Sequence, residues 1–344
     1  MNVKYKNLDL SSIKIIDVTL RDGGYRNDFN FKLPLIKTLV NTLSKAKIDF
    51  IEIGYRNGSI NNSSSFGPTA KLTNNFIREI KDSTISDINF TVMVHPKNIN
   101  FSDLKELKDL GVKMIRICIQ ASDLPYTIDV INTANNLGFI TTANITRVTC
   151  IKEKDIEKIV SELNKSKVDV IYIADSNGNM IPEQVTTIIR NIKNKTSKKI
   201  GFHAHNNLSL ALTNSISAIT AGAEYIDASL CGMGKGAGNL ALEILLTYYK
   251  RVRLYNKYNL LEILLLAELL ASNIKESHLP LQPHDLFTGA MNLSMDFNKI
   301  IKELAIIKKV CSYKIIKAIG EEEEKIADIN FIKSIIYEKN KLYV

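Results

Sequence analysis

The chain has 344 residues, 45% of them hydrophobic and 24% charged, with 45 basic against 36 acidic side chains and a net charge of +9. This is ordinary globular composition, and it excludes a disordered, collagen-like or disulfide-scaffold protein. The basic excess is spread along the sequence without a block of five or more like charges, so it reads as a solvated lysine surface and not as a nucleic-acid footprint. Cys118, Cys150, Cys231 and Cys311 form no C-x-x-C pair and no zinc spacing. The first residues, MNVKYKNLDLSSIK, lack the apolar core of a signal peptide. The most apolar stretch, Leu260–Ala271, carries Glu262 and Glu268 and is too short to span a bilayer. A cytoplasmic protein that keeps its thiols reduced and touches no membrane is expected.

Short runs rich in Ile and Val alternate with amphipathic segments. Strands are expected at 13–20, 49–55, 88–95, 113–119, 139–145, 168–175, 199–205 and 225–232, several nearly continuous in apolar residues, as strands buried on both faces are. Between them, helical spacing marks Leu35–Lys47, Ser102–Leu110, Thr127–Leu137, Asp155–Leu163, Pro182–Ile192 and Leu208–Ala221. Ser102 is the expected N-cap of its helix, and Pro182 stands where a first turn would start. Eight such units in about 250 residues predict an α/β fold, a (β/α)8 barrel, with a doubly wound sheet as the alternative. The barrel is assigned to residues 1–253. Residues 254–344 read as a helical C-terminal region interrupted by a loop at 278–290, with Glu321–Glu324 as an exposed helix start.

In a barrel the chemistry lies at the C-terminal ends of the strands. Those ends carry Arg21 and Asp22, Tyr55 and Arg56, His95, Gln120, Asn144, Asp175, His203 and His205, and the segment from Cys231. His203 and His205 are two apart on a strand, so their imidazoles share a face. Asp22 follows strand one, which closes against strand eight beside strand seven. Two imidazoles, a carboxylate and open positions suit Mn²⁺ or Mg²⁺ holding a chelating oxygen substrate; Fe²⁺ and Zn²⁺ accept the same ligands. Gly232–Asn239 holds four glycines in seven residues, which lets backbone approach a ligand; it lacks the Ser or Thr of a nucleotide P-loop.

Three segments, IIDVTLRDGGY, GFHAHNNLSLALTNS and IDASLCGMGKGAGNLALE, together resemble the DRE-TIM metallolyase superfamily, which includes the HMG-CoA lyases. Within it they resemble the 4-hydroxy-2-oxovalerate aldolases. The resemblance covers essentially the whole chain. It implies a (β/α)8 barrel, a divalent metal (Mn²⁺ first, with Mg²⁺, Co²⁺ or Zn²⁺ as alternatives), and cleavage of a 4-hydroxy-2-oxo acid to pyruvate and an aldehyde. It assigns Asp22, His203, His205 and, more weakly, Asn239 to the metal. Arg21 would stabilise the enolate oxygen, and Glu52, Arg116, Asp175, Gly234 and Gly236 would surround the substrate. The family's catalytic histidine after Arg-Asp-Gly is missing. Tyr25 occupies its place, and Tyr25, His95 and a metal-bound hydroxide are the candidate bases. That departure points to a longer or more polar hydroxy-oxo acid. The C-terminal helices would contact an acylating aldehyde dehydrogenase, mediate a homo-oligomer, or close the barrel. A Claisen-type acyl-CoA condensing enzyme or acyl-CoA lyase on the same barrel is the first alternative, and a catalytically inactive binding subunit the second.

Overall fold

The computed structural model describes residue 10 and residues 12–58, 65–85, 88–119, 123–252, 257–278, 281–322 and 329–338. Eight parallel strands close into a barrel in sequence order, β1 Lys14–Asp17, β2 Phe50–Arg56, β3 Phe90–Val94, β4 Met114–Ile119, β5 Ile140–Ile145, β6 Val170–Asp175, β7 Lys199–Ala204 and β8 Tyr225–Ala228. The helices between them are α1 Leu33–Lys45, α2 Asn74–Lys81, α3 Phe101–Asp109, α4 Leu124–Asn136, α5 Glu153–Lys165, α6 Pro182–Lys193, α7 Ala211–Ala221 and, after β8, α8 Leu242–Val252. Their apolar faces and the outward strand residues form one continuous core. The barrel expectation is met, and α6 does begin on Pro182.

Period-two alternation stacks the barrel interior in layers. Phe50, Met114, Val170 and Tyr225, all from even-numbered strands, lie in the floor cluster. Two residues further along the same strands come Glu52, Arg116, Tyr172 and Asp227. The Tyr172 ring takes the space that a side chain at Gly201 would fill, since a Cβ there would lie 2.3 Å from it. A charged layer therefore sits on an apolar floor, directly beneath the mouth.

Several local expectations are corrected. β1 ends at Asp17, not residue 20, because the Asp17 carboxylate accepts the Thr19 N–H (3.1 Å) and hydroxyl (2.7 Å) and turns the chain. β8 ends at Ala228, where Leu230–Gly232 begin a 3₁₀ turn with Cys231 at φ 56°. The cap of α3 is Asn100, which exchanges bonds with Asp103 in a capping box; the Ser102 hydroxyl donates to Asn100 Oδ1 at 2.6 Å. The expected loop at 278–290 contains α10, Pro283–Ala290, because proline fits a first helical turn.

α9 (Leu260–Asn273) precedes α10; α11 (Phe297–Lys308), α12 (Ser312–Gly320) and α13 (Ile329–Glu338) follow. Glu321 closes α12, its N–H bonded to Lys317 O, and does not start a helix; Glu323 and Glu324 lie outside the described residues, as do Gln120 and the 253/254 boundary. Ile263, Leu266 and Leu270 of α9 join the barrel core, whereas Leu293, Phe297, Ile301, Ile315, Ile319, Ile332 and Ile335 form a separate cluster.

Candidate metal centre

Asp22, His203 and His205 converge at the mouth, all buried, with one ligand atom from each lying within 4.8 Å of the others. The two Nε2 atoms are 3.3 Å apart, and His205 Nε2 lies 3.9 Å from Asp22 Oδ2. Each ring is fixed from behind. His203 Nδ1 donates to Asp227 Oδ2 at 2.9 Å, and His205 Nδ1 donates to Gly238 O at 3.2 Å. With both Nδ1 protons committed, the Nε2 lone pairs and the Asp22 carboxylate face one another. Three acceptors in that arrangement fit a cation placed among them.

Behind the ligands runs a chain of alternating charge. Arg21 Nη1 donates to Asp22 Oδ1 (2.5 Å) and Arg21 Nε to Glu52 Oε2 (2.7 Å). Arg116 Nη1 donates to the same Glu52 oxygen (3.0 Å), and Nη2 to Asp227 Oδ2 (2.6 Å). Three carboxylates meet two guanidinium groups, leaving one negative charge that a cation at the histidines would neutralise. Burial works to raise the Asp22 carboxyl, but Arg21 and the two histidines overrule it and hold it well below the usual range. Burial pushes the His205 imidazole down to about 4, so it is neutral and ready to ligate at pH 7.

Asn239 also belongs to this corner. Its Nδ2 donates to Met233 O (2.8 Å), while its buried Oδ1 has no partner among the described residues, as befits a further oxygen donor. Gly234 and Gly236 shape the loop that carries it. A Cβ at Gly234 would fall 2.5 Å from the Asn239 amide, and Gly236, at φ 60°, has Met295 Sδ where a Cβ would go.

Glu52 and Arg116 have no exposed surface. They lie beneath the mouth as ion partners and do not line it. The Asp175 carboxylate accepts the N–H groups of Asn179 and Met180 (3.1 Å each), bracing the loop after β6; burial raises it to about 6.

The other side of the mouth is aromatic. Tyr25 sits on a 3₁₀ turn, Gly23–Arg26, with its hydroxyl 3.3 Å from that of Tyr55. Burial pushes the Tyr55 phenol well above its ordinary value, so it stays protonated at neutral pH. The His95 ring stacks on Tyr55 with centroids 6.2 Å apart, and burial, then the Arg21 charge, push it down to about 4. Phe29, Met93 and Cys118 complete an apolar wall.

Sequence reasoning missed Asp227 and the pairing role of Tyr55. A signal for Asp227 existed. It is a charge set inside an apolar run, like Glu52 and Arg116, each two residues beyond a large apolar side chain of the floor. The C-terminal helices reach the mouth as well. Lys235 of the glycine loop pairs with Asp296, which also takes Arg147 Nη2 at 2.7 Å, and Asn292 bonds Asn177 and Thr149.

The HMGL-like family model matches residues 12–270. A protein from Geobacillus genomosp. 3 named 4-hydroxy-2-oxovalerate aldolase is 30% identical over 266 residues, 77% of this chain and 79% of that one. One of the same name from Brevibacillus brevis is 28% identical over 327 residues, 92% and 95% of the two chains. The crystal structure of the N-terminal domain of a putative aldolase from Bacteroides vulgatus superposes with a TM-score of 0.71 at 26% identity, covering 87% of this chain and all of that one.

Proposed function

The chain belongs to the HMGL-like family, and from that membership we propose a divalent-metal-dependent aldolase that cleaves or forms the C3–C4 bond of a 4-hydroxy-2-oxo acid, with pyruvate or a related 2-oxo acid and an aldehyde as the partners. The observation that carries this reading is the convergence of the two Nε2 atoms and the Asp22 carboxylate, with both Nδ1 protons already committed. Asp22, His203 and His205 would hold the ion, with Asn239 as a fourth donor. The mixed nitrogen and oxygen set favours Mn²⁺, with Mg²⁺, Co²⁺ and Zn²⁺ as alternatives. A divalent ion bound there polarises the substrate ketone and stabilises negative charge on its oxygen.

The protein's own groups do the rest. Arg21 spends Nη1 on Asp22 and Nε on Glu52, which fixes the guanidinium plane and leaves Nη2 for the oxygen that becomes the enolate. Glu52 and Arg116 hold that plane from below. In cleavage a base takes the 4-hydroxyl proton, the C3–C4 electron pair moves into the enolate, and protonation of C3 releases pyruvate. We assign the proton transfer to Tyr25, whose hydroxyl shares a hydrogen bond with that of Tyr55, with neutral His95 as the second candidate. Among the described residues no helix is long and apolar enough to cross a membrane. The outer face of α9, where Leu261 and Leu265 are more than half exposed, supports a homo-oligomer. An acylating aldehyde dehydrogenase is the alternative partner.

The test is pyruvate release, coupled to lactate dehydrogenase, from a panel of 4-hydroxy-2-oxo acids with and without Mn²⁺. Metal-dependent release is expected. Consumption of acetyl-CoA with a 2-oxo acid and no release from the panel would move the assignment to Claisen chemistry. Failure to bind any divalent ion would overturn the lyase reading.

A further inference from the structure

Arg26 follows Tyr25 on the turn after β1. It is half-buried, and its Nε donates to Gly234 O at 2.8 Å. Nη2 lies 3.4 Å from where a Cβ on Gly238 would be, so the guanidinium rests against the glycine loop. Among the described residues it forms no ion pair. Burial lowers its affinity for the proton, while Asp285 and Asp22 act on it only through space. Both carboxylates are engaged elsewhere. Asp22 bonds Arg21 through Oδ1 and the Lys235 N–H through Oδ2 (3.4 Å), and Asp285 Oδ1 accepts from Asn298 (3.1 Å). A cation at the histidines would commit the Asp22 charge further.

The neighbouring rim is cationic too. Lys235 and Arg147 share the single carboxylate of Asp296, and the Lys235 ammonium lies 5.4 Å from the centre of the Tyr25 ring. Arg26, Lys235 and Arg147 thus stand against Asp285 and Asp296, three positive charges to two negative. A half-buried guanidinium without a counter-ion is a ready partner for a carboxylate or phosphate, because charge-assisted bonds from it form two at a time.

The order along the turn is Asp22, Tyr25, Arg26. Arg26 holds Gly234 O, the N–H of the next residue, Lys235, reaches Asp22 Oδ2, and the Lys235 ammonium lies over the Tyr25 ring, so this cationic rim adjoins both the candidate ligands and Tyr25. We infer that Arg26, assisted by Lys235, binds an anionic group on the aldehyde half of the substrate, so that the aldehyde released or consumed carries a carboxylate or a phosphate. This rests on the aldolase reading above.

The test runs the reaction in the condensing direction, with the Mn²⁺-loaded full chain, pyruvate and four aldehydes. Propanal and glyceraldehyde are neutral, succinic semialdehyde carries a carboxylate, and glyceraldehyde 3-phosphate a phosphate. At least one anionic aldehyde should be favoured in kcat/KM by ten- to hundredfold, on the order of the value of a charged hydrogen bond; which of the two is favoured separates carboxylate from phosphate. Arg26→Met should collapse that ratio toward one, chiefly through KM, and Arg26→Lys should restore part of it. Equal use of neutral and anionic aldehydes by the wild-type protein, or an Arg26→Met effect of the same factor on both, overturns the inference and leaves the aldolase standing. If nothing condenses, metal-dependent exchange of the pyruvate methyl protons with D₂O, followed by NMR, decides further. Exchange without condensation overturns the anionic aldehyde alone, and no exchange overturns the aldolase reading together with it.

Discussion

The two sides of the barrel mouth are built on opposite terms. Around β7, β8 and β1, with Glu52 of β2 and Arg116 of β4 reaching in beneath the histidines, the interior is ionic, and Glu52 and Asp227 each bond through one oxygen only. Glu52 Oε1, Asp227 Oδ1 and Arg116 Nε are buried without partners among the described residues. Such a layer costs stability, since buried charge is repaid only when every lone pair and proton is satisfied. Above Glu52 and Arg116, at the mouth itself, the wall from β2, β3 and β4 is aromatic and apolar, with Tyr55, Met93 and Cys118 in one cluster. Phe29 meets Tyr25 edge-on at 4.9 Å and Phe66 at 5.2 Å, contacts that stabilise by burial and ring geometry. One side therefore spends stability to fix charge in place, and the other supplies the burial that makes this affordable. The proton-transfer candidates Tyr25 and His95 sit where the two sides touch, with Tyr55 against both.

The largest effects should come from the ionic side. Asp22→Ala or His203→Ala should abolish both metal binding and turnover while the circular dichroism of the barrel is kept, because each removes a ligand and no apolar core atom. Retained activity in either variant would break the metal assignment. Arg116→Met should instead act on folding. It strands Asp227 and Glu52 with one cation fewer in a fully buried layer, and a loss of about 3–5 kcal/mol in urea unfolding is expected. A neutral result would mean that the layer is far better solvated than its burial implies.

The meeting line is sharpened by a pair of variants. Tyr25→Phe should lower kcat by on the order of a hundredfold or more if its oxygen moves the proton, and His95→Gln should lower it much less. The reverse ranking would transfer the role to His95, which is neutral at pH 7 and therefore already in the basic form.

The difference between the sides also explains what the sequence made legible. The convergence of Asp22, His203 and His205 was readable because the histidines are two apart on one strand and Asp22 follows another, so strand periodicity and barrel closure suffice. Tyr25 was readable as a departure from a motif. Asp227 was visible as a charge inside a strand but its role was not, because that depends on the register Gly201↔Tyr225, which brings β8 beside β7 and is fixed by packing rather than by local pattern. Nor were the positions of Glu52 and Arg116 beneath the site, since a charged residue in a strand looks the same whether it lines a pocket or pairs below it. The helices α2 and α8 went unassigned because α2 is short and polar, while α8 follows a glycine-rich loop that masks its start. The contact of Asp296 with Lys235 joins residues 61 apart, the start of α11 and the glycine loop, beyond the reach of any periodicity.

The smallest predicted effect is the most specific to this geometry. Asp227 touches no metal position; it accepts from His203 Nδ1 and Arg116 Nη2 through one oxygen. Asp227→Asn keeps the shape and an oxygen acceptor, but removes the charge that burial would otherwise oppose and that Arg116, first among its partners, sustains. His203 would keep its orientation with a less basic Nε2, so metal affinity should fall about 10- to 100-fold, the usual effect of losing a carboxylate behind a ligating imidazole. Titration of the metal-free protein with Mn²⁺ would read this directly. Unaltered affinity would mean that Asp227 serves only to pair Arg116, and that His203 is held by the strand alone. A loss as complete as that of His203→Ala would mean that the ring turns once its partner is neutral, so that orientation, more than charge, is what the carboxylate provides.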